Sequence, residues 1–458
     1  MTFDALILSR LQFAFTIAWH IIFPSLTIGL ASYLAVLEGL WLKTGREAFQ
    51  RLYLFWVKVV AISFGMGVVS GVVMSYEFGA NWSVFSARTA PVLGPLLAFE
   101  VLTAFFLEAS FLGVMLFGWK KVGPKLHFAA TCLVAAGTLT SAFWIISANS
   151  WMQYPVSFAL DERGRFIALD WMKVIFSPTF PTRYAHMVLA AYLSTALLVG
   201  AASAWRLLRA PGETESRIAL RMAIGLFALA APLQLLVGDA SGKVVAARQP
   251  SKLAAIEAFW DTRPEEPFHI AAWPDQDRQG DDWDISIPKI GSLITHGSTE
   301  AVVTGLKAFP RGNQPPVAVV FWAFRVMVGL GVLMIGLGLW GVWLCLRGGP
   351  ERSRLFLWSS VLMGPAGFIA VIAGWTTAEV GRQPYVVFGA MRTAEAVSPI
   401  HTGEVAASLT AFLAVYALVF SVGALYILRV IAAGPLAGAG DDAPVALAPH
   451  PPWPETPS

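Results

Sequence analysis

The sequence predicts an all-α polytopic membrane protein of about nine transmembrane helices, with the N-terminus outside and the C-terminus inside. Three observations carry this. The 458 residues are 56% hydrophobic and only 13% charged, where soluble domains carry about 25% charged residues. Nine apolar runs are long enough to cross a hydrocarbon core. The short connections between them alternate between rich and poor in Lys and Arg. A net charge of +3 gives nucleic acid no basic surface to bind.

In chain order, spans are expected at about 14–38, 53–76, 93–118, 127–147, 185–208, 218–238, 317–345, 355–376 and 405–432. Residues Met1 to Gln12 lack a basic leader, so the first span is read as its own insertion signal. Lys43, Arg46 and Arg51 follow span 1, and Lys120, Lys121 and Lys125 follow span 3. Arg206, Arg209, Arg217 and Arg221 follow span 5, and Arg347, Arg352 and Arg354 follow span 7. These basic connections belong inside. Two long connections, 148–184 and 239–316, then lie outside. The expected organisation is a six-helix region over 1–238, an outer loop over 239–316, a three-helix region over 317–432 and a disordered inner tail over 433–458. Cys132 and Cys345 both fall in apolar spans and offer no disulfide framework or thiolate metal site.

Ionisable and ligating side chains inside lipid spans are costly, so each is a functional hypothesis. On this topology His20, Glu100, His186, Met327 and Glu379 gather toward the outer face, with Glu108 some 12 Å deeper than Glu100 at 1.5 Å per residue. Haem is the economical reading of such a layer. A His/Met pair saturates iron and transfers electrons, which suits His186 with Met327. A single strong ligand leaves iron open to O2, which suits His20 and Glu379. Zinc and di-iron sites use tighter spacings than any present. Glu100 and Glu108 share a broad helix face and read as a proton relay that Ser141 extends. Arg325 and Arg382 are placed to bind haem propionates. In the outer loop QPSKLAAIEAFWDT reads as an amphipathic helix capped by Ser251. Its Lys252 and Glu257 could hold a quinol head and take its protons.

Blander readings stand beside these. A single membrane histidine also serves as a helix–helix hydrogen bond, Met327 as packing and Glu379 as an interfacial anchor. His127 is read as structural, and His269, His296 and His401 as solvated loop residues. Two other functions are compatible with the same residues: a cofactor-free transporter using the two glutamates, and a haem conduit that does not meet O2.

The chain resembles subunit I of the cytochrome bd-type quinol oxidases. The motifs are SRLQFAFTIAWHIIFPSLTIG around His20, FGANWSVFS, AFEVLTAFFLEASFLGVMLFGW, SAFWIISANSWMQ, SKLAAIEAFW, FWAFRVMVG and AEVGRQPY, in the family's order over nearly the whole length. The resemblance implies that His186 and Met327 ligate a low-spin haem b. His20 and Glu379 would serve two high-spin haems, one a haem b and the other haem d or a further haem b. Glu100 would lie beside that pair and, with Glu108, on its proton supply, while Arg325 and Arg382 would lie near the haems. Lys252 and Glu257 match the quinol-binding loop. The implied activity reduces O2 to water with electrons from ubiquinol or menaquinol, in the bacterial inner membrane, without a proton pump. The implied partners are a homologous second membrane subunit and a small single-helix accessory subunit. Tyr385 in GRQPY, the short polar loop and Ala109 depart from the commoner pattern. The first two resemble the cyanide-insensitive branch.

Overall fold

The computed structural model describes residues 4–435, so the expected tail beyond them lies outside the described residues. Among these, nine helices are long and apolar enough to cross a membrane. They are span 1 (Ala5–Thr44), span 2 (Glu47–Ala80), span 3 (Ser83–Phe117), span 4 (Pro124–Gln153) and span 5 (Phe180–Arg209). Span 6 (Thr214–Arg248), span 7 (Val317–Leu346), span 8 (Arg354–Val380) and span 9 (Thr402–Ala433) complete the bundle. Every helix is longer than the apolar run that predicts it. Hydropathy marks only the hydrocarbon core, whereas capped helices continue into the interface. Span 1 shows this: Asp4 accepts from Ile7 N at 2.8 Å to start the helix nine residues before the expected edge, and Gly45 closes it at φ 67°.

Span 5 is the most enclosed of the nine spans and packs against spans 1, 4, 6 and 8. Small residues let it do so. A Cβ on Gly29 would fall 2.2 Å from Thr195 Oγ1, and one on Gly367 would fall 2.5 Å from Ser194 Cα. The main apolar core lies around it, with Tyr53, Trp56, Trp119, Leu197 and Phe227 almost fully buried. Two spans are irregular. Span 3 contains a π-helical turn at Val101–Phe105, and span 8 breaks between Leu362 and Ala366 at Gly364 and Pro365.

The outer connections are folded. The first carries a hairpin of Phe158–Leu160 with Phe166–Ala168 and a short helix, Trp171–Ile175. The second begins with the helix Pro250–Glu257 and continues into a hairpin of Phe268–Asp275 with Gly280–Ile287. Asp275 Oδ1 accepts from the amides of Asp277 and Arg278, which fixes that turn. A third, shorter hairpin pairs Tyr385–Val387 with Met391–Arg392 just beyond span 8.

Candidate functional site

Spans 1, 5 and 8 cross at one height, where Thr195 Oγ1 donates to the Leu26 carbonyl at 3.2 Å and Gly367 meets Ser194. Counting outward from that crossing at 1.5 Å per residue, His20 lies about 9 Å along, Gly374 opposite Met327 about 10 Å and His186 about 14 Å. Glu379 lies about 18 Å along. These four positions therefore occupy a layer about 9 Å deep in the outer half of the bundle.

Each proposed iron ligand is set by its neighbours. Ser70 Oγ donates to backbone carbonyls of its own helix, at 2.9 Å to Gly67 and 3.0 Å to Met66. It must therefore accept from His20 Nδ1, 2.9 Å away, which leaves the Nε2 lone pair for a metal. Gln234 Nε2 donates to His186 Nε2 at 3.1 Å, and His186 Nδ1 is buried with no partner among the described residues. A glycine of a neighbouring span, on spans 2, 6 and 8 in turn, faces each of His20, His186 and Met327. A Cβ on Gly71 would stand 3.3 Å from His20 Cε1, one on Gly238 3.3 Å from His186 Cε1 and one on Gly374 2.8 Å from Met327 Sδ. Among the described residues no three His, Cys, Asp or Glu side chains group to hold a bare ion. A porphyrin iron needs only one or two protein ligands.

Glu379 is the hub of a polar cluster. Its Oε1 accepts from Asn149 Nδ2 and Gln153 Nε2, both at 3.0 Å, and its Oε2 accepts from Arg382 Nη2. Arg183 Nη2 stands 3.9 Å from Glu379 and donates to Asn149 Oδ1 at 2.5 Å. Arg382 is 5% exposed, yet its Nε and Nη1 have no partner among the described residues. These buried donors point to an anion beyond Glu379. Asn149 and Gln153 are an amide pair four residues apart in an apolar helix, and that spacing was the available signal for them.

The loop helix differs from its sequence reading. Pro250–Glu257 is buried on every side, and Gln249 rather than Ser251 occupies its N-cap. Spans 6 and 7 and the rest of its own connection cover it, so its two charged residues face inward. Lys252 Nζ donates to Gln249 Oε1 at 2.8 Å and to Gln153 Oε1, one residue from Glu379. Burial, and then the positive charge of Arg183, holds the Lys252 ammonium well below its ordinary 10.5. Glu257 Oε2 accepts from Arg325 Nη2 at 2.7 Å. Arg325 also donates to the His269 carbonyl, at 2.8 Å from Nε and 2.6 Å from Nη2, and lies over the Phe321 and Phe268 rings. Among the described residues its carboxylate partner is thus Glu257 of the loop helix. His269 is likewise not solvated. It is 6% exposed, and its Nδ1 lies 3.2 Å from Asp284 Oδ2. The hairpin folds it back under Arg325, a contact that loop composition does not encode.

Ser141 Oγ donates to Glu100 Oε1 at 2.7 Å, as the sequence suggests. Glu108 is 7% exposed and packs against Gly137, where a Cβ would fall 2.6 Å from Glu108 Cγ. The intervening π turn absorbs one extra residue. That cuts the 80° offset of a regular helix to about 20°, so the two carboxylates lie almost in line. No periodicity argument could have found this turn.

A bundle that gathers imidazole, thioether and carboxylate tips from separate helices into one layer defines a membrane protein suited to holding iron porphyrins. The sequence comparisons narrow the class. The family model for cytochrome bd terminal oxidase subunit I matches residues 8–435, and the chain belongs to that family. It is 34% identical over 499 residues to the cytochrome bd-II ubiquinol oxidase subunit 1 of Escherichia coli (strain K12), covering 93% of this chain and 96% of that one. It is 33% identical over 460 residues to the cytochrome bd ubiquinol oxidase subunit 1 of Bacillus subtilis (strain 168), covering 97% of each. The solved bd oxidase of Geobacillus thermodenitrificans superposes with a TM-score of 0.87 at 29% identity, over 94% of this chain and 99% of that one.

Proposed function

We propose that the chain is the haem-bearing catalytic subunit of a terminal quinol:O2 oxidoreductase in the bacterial inner membrane, reducing O2 to water and generating a proton motive force without pumping. Family membership supports the activity. The observation that carries the residue assignment is the ligand layer, in which His20, His186 and Met327 each face a glycine. Glycine there lets the neighbouring helix close on each side chain and fix its direction.

When bound, the haems pass electrons from quinol to O2. His186 and Met327 would hold the low-spin haem b. His20 and Glu379 would serve the two high-spin haems, the second being haem d or haem b. The unpartnered donors of Arg382 suit a propionate. In the loop spanning 239–316, Glu257 would accept the quinol proton while Arg325 fixes its carboxylate. Lys252 would orient the loop helix against Gln153 and so against the Glu379 cluster. Glu100 and Glu108 would carry protons from the inner side across the bilayer. The subunit would assemble with a homologous membrane subunit and a small single-helix accessory chain. Ubiquinol is the assigned donor, as in the names of the two relatives at 33–34% identity.

The test is a haem count by pyridine haemochrome, followed by CO addition to the reduced protein. Three haems, with a CO shift confined to the high-spin signal, are expected. Absence of haem, or haem that ignores CO, overturns the reading.

A further inference from the structure

The inner ends of spans 1 to 4 enclose a second cluster of titratable groups, to which the scheme above gives no part. Glu38 and His127 are each 1% exposed, and Tyr53 and Thr131 are 0% exposed. His127 Nδ1 lies 2.7 Å from Glu38 Oε1, and His127 Nε2 lies 3.2 Å from the Met115 carbonyl. A carbonyl only accepts, so the Nε2 proton is committed to Met115. The Nδ1–Oε1 contact then holds one further proton, shared between imidazole and carboxyl. Thr131 Oγ1 donates to Glu38 Oε2 at 2.6 Å, which leaves the Tyr53 hydroxyl to donate to Thr131 at 3.1 Å. The rings of Trp119 and Tyr53 stand edge-on to the imidazole, at 4.7 and 5.9 Å. Of the other charges at this end, Lys43, Arg46, Glu47, Lys120, Lys121 and Lys125 are exposed, Arg51 and Lys58 are half-buried, and Arg51 pairs with Glu47 and Glu215.

The position of the cluster gives it a direction. His127 and Thr131 share one face of span 4 with Thr138 and Ser141, since offsets of 4, 11 and 14 residues all return within about 40°. Ser141 bonds Glu100, and Gly137, next to Thr138, touches Glu108. This polar stripe runs about 21 Å, most of a roughly 30 Å core. Its longest interval without a hydroxyl, from Thr131 to Thr138, is about 10 Å, the reach of two or three hydrogen-bonded waters. A buried ion pair is weak grounds for stability, because desolvating both charges offsets their attraction. Proton transfer gives the pair a reason to be there.

We propose that Glu38 and His127, with Thr131, form the inner proton-loading station of this chain, taking a proton from the inner aqueous phase and passing it along span 4 to Glu108. The proposal rests on the reading of Glu108 and Glu100 as proton carriers. One proton enters as one leaves toward Glu108, and no electrons move at the station.

The test uses the complete purified oxidase and three readouts: haem content, the rate of haem reduction by quinol, and O2 consumption between about pH 6 and 8. Glu38→Gln is expected to keep full haem and normal haem reduction. Its turnover should fall by about tenfold, and more steeply than the wild type as pH rises, because uptake from bulk becomes limiting. Thr131→Val should act in the same direction, and Thr131→Ser should restore turnover. If Glu38→Gln does not assemble, the Thr131 pair decides. Normal turnover with an unchanged pH profile in Thr131→Val, or haem loss in all the variants, overturns the station. Glu108→Gln separates the two readings. If it slows turnover while Glu38→Gln does not, only the station fails; if it has no effect, the relay fails with it.

Discussion

The pair between Glu257 and Arg325 makes a demanding prediction, because the two single substitutions at Glu257 should part company. The carboxylate and guanidinium side chains are 5% and 9% exposed, 2.7 Å apart, and Arg325 also clamps the His269 carbonyl. Glu257→Ala leaves the guanidinium buried with one acceptor lost, which costs about 3–5 kcal/mol. The loss should appear as loosening of the loop over 239–316, read by hydrogen exchange or limited proteolysis. Glu257→Gln keeps an oxygen in place and exchanges a charge-assisted bond for an ordinary one, costing about 1–2 kcal/mol. The loop should stay docked and the haems present. Yet quinol oxidation should drop by roughly two orders of magnitude, because an amide cannot take the proton. Wild-type turnover in Glu257→Gln refutes the assignment. Equal protection of the loop in both variants refutes the energetic argument.

Three further outcomes follow from the geometry. Gly374→Ala would put a Cβ 2.8 Å from Met327 Sδ, forcing the thioether back by about 1 Å against a contact distance of ~3.5–4 Å. The low-spin haem should lose its His/Met spectrum or fall in potential while the other haems persist, and an unchanged redox titration counts against Met327 as ligand. Lys252 titrates below 10.5 in the folded protein. Between its folded and unfolded values the folded state binds fewer protons, so stability should rise with pH there. Thermal unfolding across that range should show a flatter rise in Lys252→Met, and an identical rise contradicts the burial argument. Glu108→Gln should slow O2 reduction more than haem reduction in single-turnover kinetics; equal slowing argues against a relay.

Much of this fold is legible in the sequence because lipid imposes a simple code. Apolar length gives the nine spans, and Lys43, Lys120, Arg206 and Arg347 mark alternate connections. The shared depth of His20, His186, Met327 and Glu379 is legible for the same reason, since depth along a rod follows from residue number once direction is known. What was not legible depends on how chain segments fold back. Arg325 and Glu257 are 68 residues apart, and only the packing of the loop helix on span 7 joins them. His269 sits in a polar stretch, and its burial comes from the hairpin rather than from its neighbours in sequence. The π turn at Val101–Phe105 leaves no compositional mark. The contact of His127 with Glu38, 89 residues away on span 1, likewise leaves no local mark.

The low-spin haem tests the ligand layer most directly. Reduced-minus-oxidised spectra of His186→Ala and Met327→Ala, each set against the wild type, should lose the low-spin band while the high-spin bands remain. If both variants keep that band at full amplitude, the iron is held elsewhere and the layer described here is not its site.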